Sequence, residues 1–160
     1  MEVNFNSLPP QSKVWMYQAS EVLSEDQKTT IYNLAEVFLG QWESHNIPVQ
    51  GSVDVLQSRF VRIAAFTDEP SMCGRAQDAQ VRLAKELEEE LGLELTNRML
   101  IAFEEGGEIH TTHMNELQEL LSAGKIQASS TFFNNLVTTK EEFDTAWQVK
   151  AGDSWVGRFF

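Results

Sequence analysis

The stretch Phe60-Val61-Arg62-Ile63-Ala64-Ala65-Phe66 does most to narrow what this chain can become. Its nearly continuous apolar character, in so short a run, reads as a buried strand rather than a helix. Thr67-Asp68-Glu69-Pro70 stops it, and Ser71-Met72-Cys73-Gly74 leads into the longest charged helix, which closes at Leu91-Gly92. A strand feeding a helix N-terminus leaves unpaired N–H groups and the positive dipole end pointing outward.

The rest of the chain arranges itself around that pair. Leu8-Pro9-Pro10 makes the first residues an extended lead-in, because paired prolines exclude helix. Val14-Trp15-Met16-Tyr17 reads as a first strand. Ser24 and Gln27 form a capping box. Ile31, Leu34, Ala35, Phe38, Leu39 and Trp42 then repeat at helical spacing, so a helix is expected from Ser24 to about His45, ended by Asn46 and Pro48. Ser52–Leu56 alternates as a second strand, and the tight Gln57-Ser58 connection pairs it antiparallel with the Phe60 strand. Ala76, Ala79, Leu83, Leu87 and Leu91 form the apolar face of the second helix, and Gly92 is a natural stop. Met99–Phe103 is a fourth strand.

These elements run β-α-β-β-α-β, the ferredoxin-like order, with both helices on one face of an antiparallel sheet. A C-terminal β-α-β-α extension follows. It comprises Glu108–Thr111, a helix over 112–123, Thr131–Phe133, and a helix opened by Thr138 with Glu141 as capping box. The expected class is α+β, a single domain over 1–160 with its core in 1–103 and the extension, 104–160, packed on it. The aromatic tail through Trp155 and Phe160 is expected to dock.

Charge excludes several partners. With 24 acidic against 12 basic residues the net charge is −12. The average surface repels nucleic acid and anionic bilayers. No apolar run is long enough to span a membrane. A single cysteine cannot make an internal disulfide, and the first residues lack a secretory pattern, so a cytoplasmic location is expected.

Candidate chemistry is sparse. Cys73 at a helix N-terminus is a possible nucleophile or thiol sensor, although free cysteines are usually buried packing groups. Asp68, Gly74, Arg75 and Asp78 surround it as a possible anion site. His110 and His113, near Glu104, Glu105 and Glu108, are weak metal candidates, whose ordinary reading is a solvated hairpin tip. Asn134 and Asn135 offer both donors and acceptors to a ligand's polar edge, or else make a turn. Trp147, Trp155 and Phe160 could line a partner surface. Phosphate loop, dinucleotide fingerprint, nucleophile elbow and kinase motifs are all absent. Gly124-Lys125 is followed by Ile126 where a phosphate loop needs Ser or Thr.

Phe133-Asn134-Asn135-Leu136-Val137-Thr138-Thr139, Trp147, Asp153-Ser154-Trp155 and Arg158-Phe159, with Val14-Trp15-Met16-Tyr17-Gln18, carry a resemblance over essentially the whole chain. The chain resembles a set of small, uncharacterised bacterial proteins of this length, often labelled "ABC transporter ATPase". Those proteins have a Ser-Gly-Cys-Ser-Ile-Asp stretch at the start of their second helix. Matching Gly74 and Asp78 to it puts Arg75 at the cysteine position, with Cys73 two residues earlier. The resemblance implies no cofactor and no named chemistry.

The sequence therefore points to a non-catalytic binding or interaction protein that needs no cofactor and is not an ATPase, with self-association as a homodimer expected. The alternative is a small enzyme or thiol-based sensor working at the 68–78 loop.

Overall fold

The computed structural model describes residues 1–68 and 71–160, so the expected Glu69-Pro70 stop lies outside the described residues. Strand β5 (Phe60–Phe66) is the centre of a three-stranded antiparallel sheet. β1 (Lys13–Gln18) pairs on one side and β4 (Gln50–Leu56) on the other. Six of the seven β5 residues are buried because both faces are covered. Val61, Ile63 and Ala65 face the helices, while Phe60 and Ala64 face a second sheet.

Helix α1 (Glu25–Gln41) starts on the expected capping box. The Ser24 Oγ accepts from Gln27 N–H at 3.1 Å, and Gln27 Oε1 accepts from Ser24 N–H at 2.9 Å. Ile31, Ala35 and Leu39 pack inward. The helix ends before His45 because the chain turns back as a small hairpin of β2 (Glu43–Ser44) and β3 (Ile47–Pro48). His45 and Asn46 take φ of 52° and 64°, the left-handed pair of a tight two-residue turn. Helix α2 (Gly74–Leu91) lies beside α1, with Trp42 Nε1 donating to Ala76 O at 2.8 Å. Gly92, at φ 66°, closes α2 as expected.

The second sheet changes the expected topology. β6 (Leu100–Glu105) does not complete the first sheet in ferredoxin-like fashion. It pairs with β7 (Glu108–His113) and β8 (Thr131–Phe133), and β8 pairs with β9 (Gln148–Lys150). The last strand of the expected core is thus hydrogen-bonded to the expected extension. The cause lies on the outer edge of β1, whose backbone groups are already taken. Val14 N–H donates to Thr138 O, Lys140 N–H donates to Ser12 O, and the Arg98 guanidinium donates to Met16 O.

Ala102 and Phe133 turn toward the first sheet. Ile101, Phe103 and Phe132 turn away, and are covered by α3 (Leu117–Ser122), Ile126 and Val156. The helix expected over 112–123 is shorter because β7 runs on to His113 and a 3-10 turn occupies Met114–Glu116. Helix α4 (Lys140–Ala146) begins one residue later than expected, with Thr139 accepting from Glu142 N–H at 3.1 Å. The result is an α+β fold of four layers: the α1–α2 pair, two antiparallel sheets, and α3 with the C-terminal turns. None of the helices among the described residues is long and apolar enough to cross a membrane.

Candidate functional site

The space between the two sheets contains an ordered relay of polar side chains. Trp147 is buried, and its indole N–H donates to Asn135 Oδ1 at 3.0 Å. Asn135 Nδ2 donates to Gln18 Oε1 at 3.3 Å. An indole nitrogen only donates. It therefore fixes the Asn135 amide with its oxygen toward Trp147, and Asn135 in turn fixes Gln18 with its oxygen toward Asn135. The Gln18 NH2 is left pointing away from the relay, although the residue is only 3% exposed and Nε2 has no hydrogen-bond partner among the described residues. A buried donor left unpaired costs about 1–3 kcal/mol.

Gln18 stands at the end of β1, where the strand's alternation turns it toward the second sheet. A cleft of about 30 Å³ opens beside it, walled by Leu95, Ile101, Phe132 and Phe133. Asn97 and Asn135 supply the other polar groups, and Arg98, Leu136 and Trp155, all exposed, form the rim. Arg98 is held by its bond to Met16 O and by the Tyr17 ring, 4.8 Å from its guanidinium carbon. Burial raises the Tyr17 phenol above its ordinary pKa, against the opposing pull of Arg98 and of Gln80, whose Oε1 accepts from the phenol at 2.5 Å.

Among the described residues, the other buried polar side-chain atoms without partners are Ser12 Oγ, Ser52 Oγ and Arg62 Nε. Arg62 is otherwise engaged. It donates to Asp54 at 2.8 Å, and its guanidinium lies 3.4 Å from the centre of the Phe5 ring.

The residues singled out in the sequence separate into distinct places. Cys73 is half-buried at the start of α2, and the β2–β3 hairpin is folded against it. Its N–H donates to Ser44 Oγ at 3.1 Å. The Ser44 hydroxyl, then the backbone N–H groups of Ala76, His45 and Arg75, favour the thiolate and outweigh burial, so the thiol lies below its ordinary pKa. Sequence separation hid this, since Ser44 and Cys73 are 29 residues apart.

Asp68 and Arg75 line different hollows. Asp68 lines a hollow with Lys13, Ser71 and Gln77, whereas Arg75 lines another between α1 and α2 with Phe38, Arg82 and Glu86. Gly74 and Asp78 are exposed on the first turns of α2. His110 and His113 both belong to β7, and three-residue spacing on a strand sends them to opposite faces. His113 Nδ1 accepts from Asn115 N–H at 3.2 Å. Among the described residues no three His, Cys, Asp or Glu side chains gather as a metal site.

Asn134 makes a turn, its side chain accepting from Leu136 N–H at 3.2 Å, while Asn135 joins the relay. Trp147 offers nothing to a partner because it packs between Phe60, Phe133 and Phe143. Trp155 and Phe160 lie partly exposed, each with an edge contact to a core phenylalanine, Phe132 and Phe103 respectively. Gln18 and Arg98 were missed as site residues. The one available signal was a polar residue, Gln18, at a position where the strand's alternation demands burial.

Comparison with protein-family models, with curated proteins and with solved structures finds no match to this chain.

Proposed function

We propose that this chain is a non-catalytic binding protein that takes a small ligand in the cleft beside Gln18. The observation that carries this reading is the Gln18 Nε2 donor, buried, oriented by the Trp147–Asn135 relay and unpaired. A ligand acceptor reaching it recovers the hydrogen bond that the folded chain lacks. Among the described residues that line the cleft, none pairs a nucleophile with a base. Gly124 closes α3 at φ 69° instead of opening a helix, which argues against a phosphate loop and so against ATPase activity. Kinship with the small bacterial family remains part of this proposal and adds no chemistry to it.

The test is a set of small polar fragments followed by 1H–15N correlation spectra. Saturable shifts are expected at the Gln18 and Asn135 side-chain amides and the Trp155 indole. Shifts gathered at another hollow, or none from the whole set, would overturn the reading.

A second reading, thiol chemistry at the 68–78 loop, has the lowered Cys73 pKa in its favour. The separation of Asp68 from Arg75 weighs against it.

A further inference from the structure

We infer that the ligand of the cleft beside Gln18 carries a carboxylate head on an apolar stem, with Gln18 Nε2 and the Arg98 guanidinium as the donors to that head. The inference rests on the reading of the cleft as a ligand site, and a different head chemistry there would leave that reading standing.

Polarity comes first. The side-chain acceptors that line the cleft are already engaged. Asn135 Oδ1 accepts from Trp147, Gln18 Oε1 accepts from Asn135, and Asn97 Oδ1 accepts from Met99 N–H at 2.9 Å. What remains on offer is donors: Gln18 Nε2 and the part of the Arg98 guanidinium not bound to Met16 O. A head group that must itself donate finds little to accept its hydrogen, whereas a head with only acceptor oxygens meets donors.

Charge narrows the choice further. Arg98 is the only ionisable residue among those lining the cleft, and among the described residues no carboxylate lies within ion-pair distance of it. The nearest acid in sequence, Glu94, accepts from Asn97 Nδ2 at 3.3 Å. A guanidinium with spare N–H groups beside a second donor suits a carboxylate better than a neutral carbonyl.

Size sets the rest. The inner space of about 30 Å³ holds roughly one or two water molecules, so it admits a head of a few heavy atoms and no ring. The remainder of the ligand must lie outside, across the rim. There Leu136 is 58% exposed and Trp155 38% exposed, an apolar strip at the mouth of a donor-lined cleft. Nε2 is screened from bulk water, and an apolar stem laid along the rim buries the exposed surface of Leu136 and Trp155.

The test titrates the folded protein at pH 7 with hexanoate and with hexanamide, its neutral counterpart of the same shape, following the Gln18 side-chain amide and the Trp155 indole. Hexanoate is expected to bind at least about tenfold more tightly than hexanamide. Arg98→Gln is expected to bring the two affinities together, a change in ratio that a merely structural role for Arg98 would not produce. Gln18→Glu keeps an oxygen for Asn135 but replaces the donor with a charge, and is expected to weaken hexanoate by about tenfold or more. Thermal melts of both variants check that they fold. If hexanamide binds as well as hexanoate, the carboxylate assignment is wrong and the cleft reading survives. If hexanoate leaves the cleft signals unmoved, or the ratio is unaltered in folded Arg98→Gln, the inference falls, and the fragment set then decides the cleft reading by itself.

Discussion

Two single residues report how the fold uses backbone donors at the ends of α2. At its start, the Cys73 thiol is held below its ordinary pKa of 9.0 by the Ser44 hydroxyl and neighbouring N–H groups. Alkylation by iodoacetamide, followed against pH, should therefore give an apparent pKa below that of the unfolded chain. Ser44→Ala should move it back upward. A depressed folded pKa contributes stability that is complete above 9.0 and is lost as pH falls through the folded value. At the other end, Glu88 stands near the negative pole of the helix dipole, which opposes its charge. Its carboxylate accepts from Leu95 N–H at 2.7 Å, Thr96 N–H at 2.9 Å and the Thr96 hydroxyl at 2.9 Å. Burial pushes its pKa up, but these bonds push further down, to a net value below the ordinary 4.5. Glu88→Ala should cost about 1.5–3 kcal/mol in urea unfolding at pH 7. The sign follows from linkage: the stabilisation is present above pH 4.5 and is lost as pH falls through the folded pKa. The gap between the wild type and the variant should shrink in acid. An equal gap at both pH values would assign the effect to packing.

At the scale of elements, Gly51 is a point of close approach between strand and helix. A Cβ there would stand 2.8 Å from Leu39 Cδ2 and 3.0 Å from the Trp42 ring. Both neighbours are buried, so neither moves aside cheaply. Gly51→Ala should cost about 1–3 kcal/mol, read as a lowered urea midpoint with an unchanged slope. Strong local signals made α1, α2, β5 and β8 legible in the sequence, because each carries its own period, cap or apolar run. The β2–β3 hairpin was not legible. His45-Asn46 lacks the glycine that usually marks such a turn, and Trp42 reads as the last member of a helical stripe although its role is to anchor the hairpin to α2 through Ala76 O. β9 was hidden for a similar reason, since three residues carry no measurable period. The site was half-legible. Asn135 announced itself as a polar residue among aromatics, but Gln18 is joined to it across 117 positions of sequence, and no local pattern encodes such a pairing.

The whole molecule depends on contact between its two sheets, and that dependence explains why a correct order of elements gave an incomplete topology. The β-α-β-β-α-β order constrains neighbours in sequence, but the fate of β6 was settled by competition for the outer edge of β1, which residues 138–140 and Arg98 win. The two sheets are consequently interleaved in sequence. Residues 138–140 cover the first sheet from within the C-terminal half, and Phe60 of the first sheet packs at 4.9 Å and 5.1 Å from the ring centres of Phe133 and Trp147. Neither sheet buries its inner face without the other, so the chain should unfold in one transition. Far-ultraviolet circular dichroism, which follows α1 and α2, and tryptophan fluorescence should give coincident urea curves. Phe60→Ala, at a fully buried position, should cost about 3–5 kcal/mol and shift both curves together. If fluorescence changes first and leaves the helical signal in place, the second sheet is a separable unit. Gln18, on the face of β1 turned to the second sheet, would then lie on a hinge line and not in a fixed site, and would gain water in place of a ligand.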